Sequence, residues 1–331
     1  MLHPFKQNAA QANDQKAIEF EKLQVVMEEF LLQADITRNS KKTYAKGLKK
    51  FFAWLAATQK KNQIERKTII EYKNYLAEIN LRPHTQAIYF GALKQFFKWT
   101  ESTLIFPNIA FNIKGIKKLS KQHHKDPLTK EEVNKLLISL SEKKTIKDLR
   151  DKALISLLIF SGLRIGEAAS IQLKDIEKIS SEKHIIWIKG KGRIGKDNFI
   201  ILIEEAWNAI KEYLEERTIN EVLEEESFLF RQHNERKTTI KKKLHVDSVA
   251  RIVNEHLKKT KIKNDHISPH SLRHTFGTSA IEAGVSLHDL QLAMRHSSST
   301  TTQVYLGDIE KKRRKEASSE KKVRDFLLNK G

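Results

Sequence analysis

Residues 269–305 read PHSLRHTFGTSAIEAGVSLHDLQLAMRHSSSTTTQVY. Apolar residues recur here at helical spacing, which predicts helices over about 270–283, 287–296 and 299–306. His270 and Arg273 stand three residues apart and therefore share one helical face. His296 follows the second helix and Tyr305 closes the third. Each of these side chains alone has an ordinary reading as a solvated or packed residue. Together they are a cation-rich set with one phenol, which suits a phosphodiester.

A second polar stretch lies upstream, SGLRIGEAASIQL (161–173), directly after the most apolar run of the chain, Ala153 to Phe160. Gly162 suits a tight corner, Arg164 follows it, and Glu167 three residues on can orient the guanidinium. Between the two stretches is the one clear β signal. IIWIK (185–189) and NFIILI (198–203) flank GKGRIGKD (190–197), which predicts a hairpin with Lys191 at its tip. Helices are expected over about 130–141, 147–161, 204–216 and 247–260, the first opened by a Thr129/Glu132 capping box. An arginine fork can grip two non-bridging oxygens at once. In phosphoryl transfer, fixed cations are most valuable where transition-state charge gathers.

The N-terminal third reads as four helices. The first covers about Ala17 to Gln33, with Ile18, Val25, Val26, Phe30 and Leu32. The second opens at Ser40 as N-cap and carries Tyr44, Leu48, Phe51, Phe52 and Leu55. The third spans about Arg66 to Ile79, and the fourth opens near Thr85 after Pro83. The expected product is a small helical bundle with basic outer faces. Residues 1–15 read as a loose tail, and 107–126, with Pro107 and no clear apolar period, as an interdomain linker.

The whole chain has 331 residues, with 61 Lys+Arg against 41 Asp+Glu and a net charge of +20. That excess favours a polyanionic partner, nucleic acid before others. Lys41, Lys42, Lys46, Lys49 and Lys50 crowd one expected helix, and Lys114, Lys117, Lys118, Lys121 and Lys125 lie in a stretch without an acid. A solvated face usually mixes signs. Zero cysteines exclude disulfides, thiol catalysis, zinc–thiolate sites and iron–sulfur clusters, and fit a reducing cytoplasm. No stretch approaches the ~20 apolar residues of a bilayer span, and the N-terminus lacks a secretory apolar core.

In order, Arg164, Lys191, His270, Arg273, His296 and Tyr305 resemble the catalytic set of tyrosine recombinases, the family of phage integrases and bacterial Xer proteins. SGLRIGE is similar to the family's first arginine box, GKG to its hairpin lysine, and 269–305 to its second box and nucleophile. The resemblance implies a mainly α fold with a small antiparallel sheet: an N-terminal, SAM-like core-binding domain at 16–106 and a mixed α/β catalytic domain at 127–308. It implies that 309–331 docks on a neighbouring protomer. It assigns Tyr305 as nucleophile, Arg164 and Arg273 to the transition-state oxyanions, Lys191 to the leaving 5′-hydroxyl, His270 as base or phosphate ligand and His296 to the phosphate. Glu167 and His274 would stand behind these. Arg295 departs from the pattern, because the family usually has Gly there. Either the local turn differs or a further phosphate contact is gained.

The implied activity is DNA cleavage and rejoining through a 3′-phosphotyrosine and a Holliday junction, with no metal and no cofactor. The implied partners are duplex DNA with an inverted-repeat core site, three further copies of the chain, and a DNA translocase or accessory protein. No extra arm-binding domain is visible before residue 15. That favours a simple enzyme acting on short inverted-repeat core sites. The preferred role is chromosome dimer resolution, in the cytoplasm on the nucleoid, with mobile-element integration or excision as the alternative. Three readings compete: a type IB topoisomerase, a non-catalytic DNA-binding protein, and a metal-dependent transposase using Asp265, Asp289 and Asp308. The short helical unit weighs against the first, the full set of six polar residues against the second, and the lack of a carboxylate motif against the third.

Overall fold

The computed structural model describes residues 20–58, 64–116, 125–141, 145–189, 195–219, 221–233 and 243–296. It also describes 298–299, 301–307, 310, 323–324 and 326–328. The 1–15 tail, Lys117, Lys118, Lys121, Lys191, Asp308 and most of 309–331 lie outside these residues. The chain divides into two compact units, 1–120 and 121–331.

The first unit is all helix among its described residues: α1 (Phe20–Gln33), α2 (Arg38–Ala57), α3 (Arg66–Glu78) and α4 (Pro83–Ser102). The apolar stripes of α2 and α4 meet face to face. Phe51 and Phe97 pack edge-on with centroids 6.3 Å apart, as do Phe52 and Phe96 at 6.2 Å, the arrangement that the ring quadrupole favours. Tyr72 of α3 and Leu23, Met27 and Phe30 of α1 complete this core. Val25 and Leu32 face outward instead of joining it, because α1 turns its 23/27/30 stripe inward. Thr37, not Ser40, caps α2: its side chain accepts from the Ser40 N–H. Pro83 sits in the first turn of α4, where its missing N–H costs nothing.

Residues 107–116, expected as linker, pack onto the first unit. Ala110 and Ile113 are buried in its core. The Arg66 guanidinium donates to the Phe111 carbonyl, and Lys94 Nζ to that of Ile113 at 2.6 Å.

The second unit begins with α5 (Lys130–Ser141), opened by the expected reciprocal Thr129/Glu132 bonds. Next comes α6 (Ile146–Ser161), whose residues 153–159 are all buried. A helix apolar all round belongs at the centre of its domain, and α6 packs against α5, against α8 (Glu204–Thr218) and against α10 (Pro269–Glu282). The short helix α7 is Ile165–Ala168 and α9 is Val246–Lys259. Strands β1 (Ile176–Lys178), β2 (His184–Lys189) and β3 (Lys196–Leu202) form an antiparallel sheet in that order. Ile186 pairs with Ile200 and faces the core, while Trp187 pairs with Phe199 on the outer face. Helix α11 (Leu287–Ala293) and the helical residues 301–307 complete the described part of the unit. Among the described residues the chain is thus mainly helical with one small antiparallel sheet. No helix among the described residues is long and apolar enough to cross a membrane.

Candidate active site

The site forms where three remote stretches of the second unit converge. The first is the corner after α6. Gly162 ends α6 in the left-handed region at φ 59°, and a Cβ there would lie 2.6 Å from the Phe276 ring. The corner delivers Arg164 to the start of α7. Its backbone N–H donates to Glu167 Oε2 at 2.9 Å and its guanidinium to Oε1 at 2.7 Å. Glu167 is buried, and Arg164 is half-buried.

The second stretch is α10, started by Pro269 and a Ser268/Ser271 capping box. Arg273 is buried and donates from Nη2 to the Met294 carbonyl at 2.7 Å and from Nη1 to that of Gly162. Burial, then Arg164, pull its pKa down to about 10. It remains a cation at neutral pH. His270, at the solvent edge one turn earlier, has its pKa lowered by desolvation and then by Arg273 and Arg164. His274 is buried beside Arg273, and its Nδ1 lies 2.8 Å from the Lys125 carbonyl. A carbonyl only accepts, so Nδ1 carries the proton.

The third stretch runs from the end of α11 to Tyr305. His296 Nδ1 shares a hydrogen bond with Thr302 Oγ1 at 2.8 Å. The Tyr305 ring lies 6.2 Å from the His296 ring, nearly parallel, and 5.3 Å from that of His274. Its third wall is Gly277, where a Cβ would stand 2.5 Å from Tyr305 Cε1. Only 1% of Tyr305 is exposed, so the hydroxyl is covered in this conformation.

A turn precedes His296, with Arg295 at its bend. Arg295 takes a positive φ of 54°, a conformation that costs a side-chain-bearing residue about 1–2 kcal/mol. Its buried guanidinium reaches Glu167 Oε2 at 3.3 Å and the Ala293 carbonyl at 2.6 Å. Burial favours a neutral Glu167, yet Arg295, followed by Arg164, holds its pKa below the ordinary value. The sequence flagged Arg295 as a departure with either an altered turn or a further phosphate contact as its consequence, and gave no sign of its pairing with Glu167. It carried no sign that Thr302, or the carbonyls of Gly162 and Met294, build the site.

The structure thus gathers Arg164, Glu167, His270, Arg273, His274, His296 and Tyr305, and adds Arg295. Lys191 lies outside the described residues. On α2, Lys42, Lys46 and Lys49 are exposed, while Lys41 and Lys50 are half-buried and Lys41 Nζ donates to the Leu32 carbonyl at 2.8 Å. Lys114 is exposed. Asp289 accepts from Ser286 Oγ at 2.6 Å within the cap of α11.

Such a gathering of two arginines, histidines and a tyrosine on α-helical walls has a counterpart in sequence. Residues 127–311 match the model of the phage integrase family, and 23–105 match that of the phage integrase N-terminal SAM-like domain. The chain belongs to the phage integrase family of tyrosine recombinases. A tyrosine recombinase of Thermosipho africanus is 30% identical over 276 residues, covering 82% of this chain and 89% of that protein. The tyrosine recombinase XerC of Leptospira interrogans is 36% identical over 161 residues, about half of each chain (49% and 47%). Among solved structures, the XerH site-specific recombinase in a post-cleavage complex with palindromic difH superposes with a TM-score of 0.71. That match has 22% identity and covers 91% of this chain and 85% of XerH. At that identity the likeness is one of fold, and it places this tyrosine recombinase in the same architecture.

Proposed function

We propose that this chain is a site-specific recombinase that cuts and rejoins duplex DNA through a 3′-phosphotyrosine on Tyr305. The convergence of Arg164, Arg273, His296 and Tyr305 at one place in the second unit carries this reading. Tyr305 Oη bonds to the scissile phosphorus, and the bond from phosphorus to the 5′ oxygen breaks. Lys191 supplies the proton to the departing 5′-hydroxyl. A free phenol is only about one part in a thousand ionised at pH 7. Surrounding cations favour the phenolate, and a neutral histidine can take its proton. Arg164 and Arg273 stabilise the non-bridging oxygens as charge builds, and His270 and His296 complete the phosphate shell. The phosphotyrosine retains the ester's energy, so a new 5′-hydroxyl reseals the strand without ATP or metal. Tyr305 has to leave its covered slot before attack, and DNA seating on the unit supplies the occasion.

Each protomer cuts one strand, so exchange of two duplexes takes four protomers and passes through a Holliday junction. The N-terminal helices and Lys41, Lys42, Lys46, Lys49, Lys50, Lys114, Lys117, Lys118 and Lys121 hold the backbone of an inverted-repeat core site. Residues 309–331 dock on a neighbour. In support, Phe326, Leu327 and Leu328 are exposed apolar residues, and the second unit has an apolar groove of about 650 Å³ lined by Leu128, Val133, Phe276 and Leu290. The role is chromosome dimer resolution on the nucleoid, with a DNA translocase as the accessory partner.

The test uses host genomic fragments captured as covalent adducts and rebuilt as nicked suicide duplexes. An adduct should form at the 3′ side in EDTA and vanish in Tyr305→Phe while DNA binding persists. An undiminished adduct in that variant rejects the nucleophile. Captured sites within mobile-element ends would assign the protein to integration or excision, and supercoil relaxation without strand exchange would make it a topoisomerase.

A further inference from the structure

We infer that Arg295 is a positioning residue for strand cleavage, clasping the turn that carries His296 to the Glu167–Arg164 pair. The inference rests on the recombinase reading above. A left-handed position at the end of a helix is where glycine is most at ease, yet Arg295 occupies it at φ 54°. An arginine side chain is almost never fully buried unless paired, and only 3% of this one is exposed. Its partner explains both facts. Glu167 Oε2 receives Arg295 Nη2 at 3.3 Å together with the Arg164 backbone N–H at 2.9 Å, while Oε1 receives the Arg164 guanidinium.

Three consecutive residues therefore each hold a different part of the site. The Met294 carbonyl holds Arg273, the Arg295 side chain holds Glu167, and His296 stacks on Tyr305. The two arginine boxes lie 109 residues apart in sequence (273 − 164), and this tripeptide joins them. Arg295 stays behind Arg164, because its guanidinium is buried and already engaged with Glu167 and the Ala293 carbonyl. It acts through the carboxylate and not on the phosphate. Arg295 also leads the influences that keep the buried Glu167 ionised, so its loss makes the carboxylate easier to protonate.

The test measures single-turnover cleavage of the suicide duplex by wild type, Arg295→Gly, Arg295→Lys, Glu167→Gln and the Arg295→Gly/Glu167→Gln pair. Glycine accepts the turn without strain, so Arg295→Gly should fold. Should it not, Arg295→Lys takes its place. Displacement of reacting groups by an ångström costs up to about 100-fold, so cleavage should fall about 10- to 100-fold with DNA affinity held within about twofold. Guanidinium ion at non-denaturing concentration should restore part of the rate. The acidic limb of the pH–rate profile should move to higher pH. Arg295→Lys should recover only part, because an ammonium lacks the fork. In the Glu167→Gln background, Arg295→Gly should add little. Additive losses, or a drop in affinity as large as the drop in rate, would make Arg295 a phosphate contact and overturn the clasp. Wild-type cleavage in Arg295→Gly would also overturn it. Absence of any adduct from wild type would instead reject the recombinase reading.

Discussion

The Tyr305 ring occupies the volume that a side chain on residue 277 would need, with three ring atoms within 2.8 Å of an ideal Cβ. An aromatic ring clasped between two histidine rings cannot yield by rotating a flexible end. Gly277→Ala should therefore overpack the slot and cost about 1–3 kcal/mol, measured by denaturant unfolding. A variant as stable as wild type would mean that Tyr305 already sits elsewhere in solution. At this scale the sequence told half the story. The chemistry of a phosphodiester demands Arg, His and Tyr side chains, so their identities are legible. The groups that aim them are not. Arg273 is held by two backbone carbonyls, those of Gly162 and Met294, and a carbonyl leaves no mark in a sequence. Gly277 is equally silent, because its function is to have no side chain.

Elements were legible where a 3.6-residue period ran for several turns, as in α2, α4 and α6. They were not where the pattern was too short to show a period. Strand β1 has three residues and α7 four. Residues 107–116 escaped as well, because Ile109, Ala110, Ile113 and Ile116 reach the core from a turn and irregular chain, not from a helix that would set a regular stripe. On α2 the pattern carries a second message. Lys42, Lys46 and Lys49, at i, i+4 and i+7, are exposed and lie opposite the buried Leu48, Phe51, Phe52 and Leu55 stripe. Residues so spaced form one row. Converting the three to Gln should weaken DNA binding and flatten its salt dependence by up to about 2.7 log units per log unit of salt, near 0.9 for each phosphate that is no longer neutralised. The thermal midpoint should not move, since none of the three enters the core. An unchanged salt slope would remove this face from the DNA interface. Thr37→Ala, by contrast, removes the cap of α2 and should cost about 1 kcal/mol, read from the same unfolding curves.

Across the whole molecule, each unit has its own core, but acid should act through groups found in the second. His274 is pushed down to about 4 by burial foremost, with His270 adding to the shift against the Lys125 carbonyl and Asp126. His233, whose Nε2 meets Tyr213 Oη at 2.8 Å, is pushed down to about 3 by burial, then by Arg231, Arg150 and Arg217. Both rings are neutral in the fold at pH values where an unfolded histidine, with its ordinary value of 6.5, is protonated. The unfolded chain thus binds more protons between pH 6.5 and about 4, and over that window stability falls as pH falls. Above pH 6.5 neither histidine contributes a slope. Inside the window each contributes up to about 1.4 kcal/mol per pH unit. Urea unfolding of the full chain at pH 7.5, 6, 5 and 4, followed through Trp187 and Trp207 of the second unit, should show that decline, and His233→Gln should remove part of it. His274 packs on Tyr305 as a neutral ring, so the positive charge near Tyr305 comes from arginines, and Arg273, with its pKa at about 10, stays charged across the physiological range. Stability flat from pH 7.5 to 4 would mean that these rings are hydrated in solution, and the neutral wall behind Tyr305 would have to be abandoned with them.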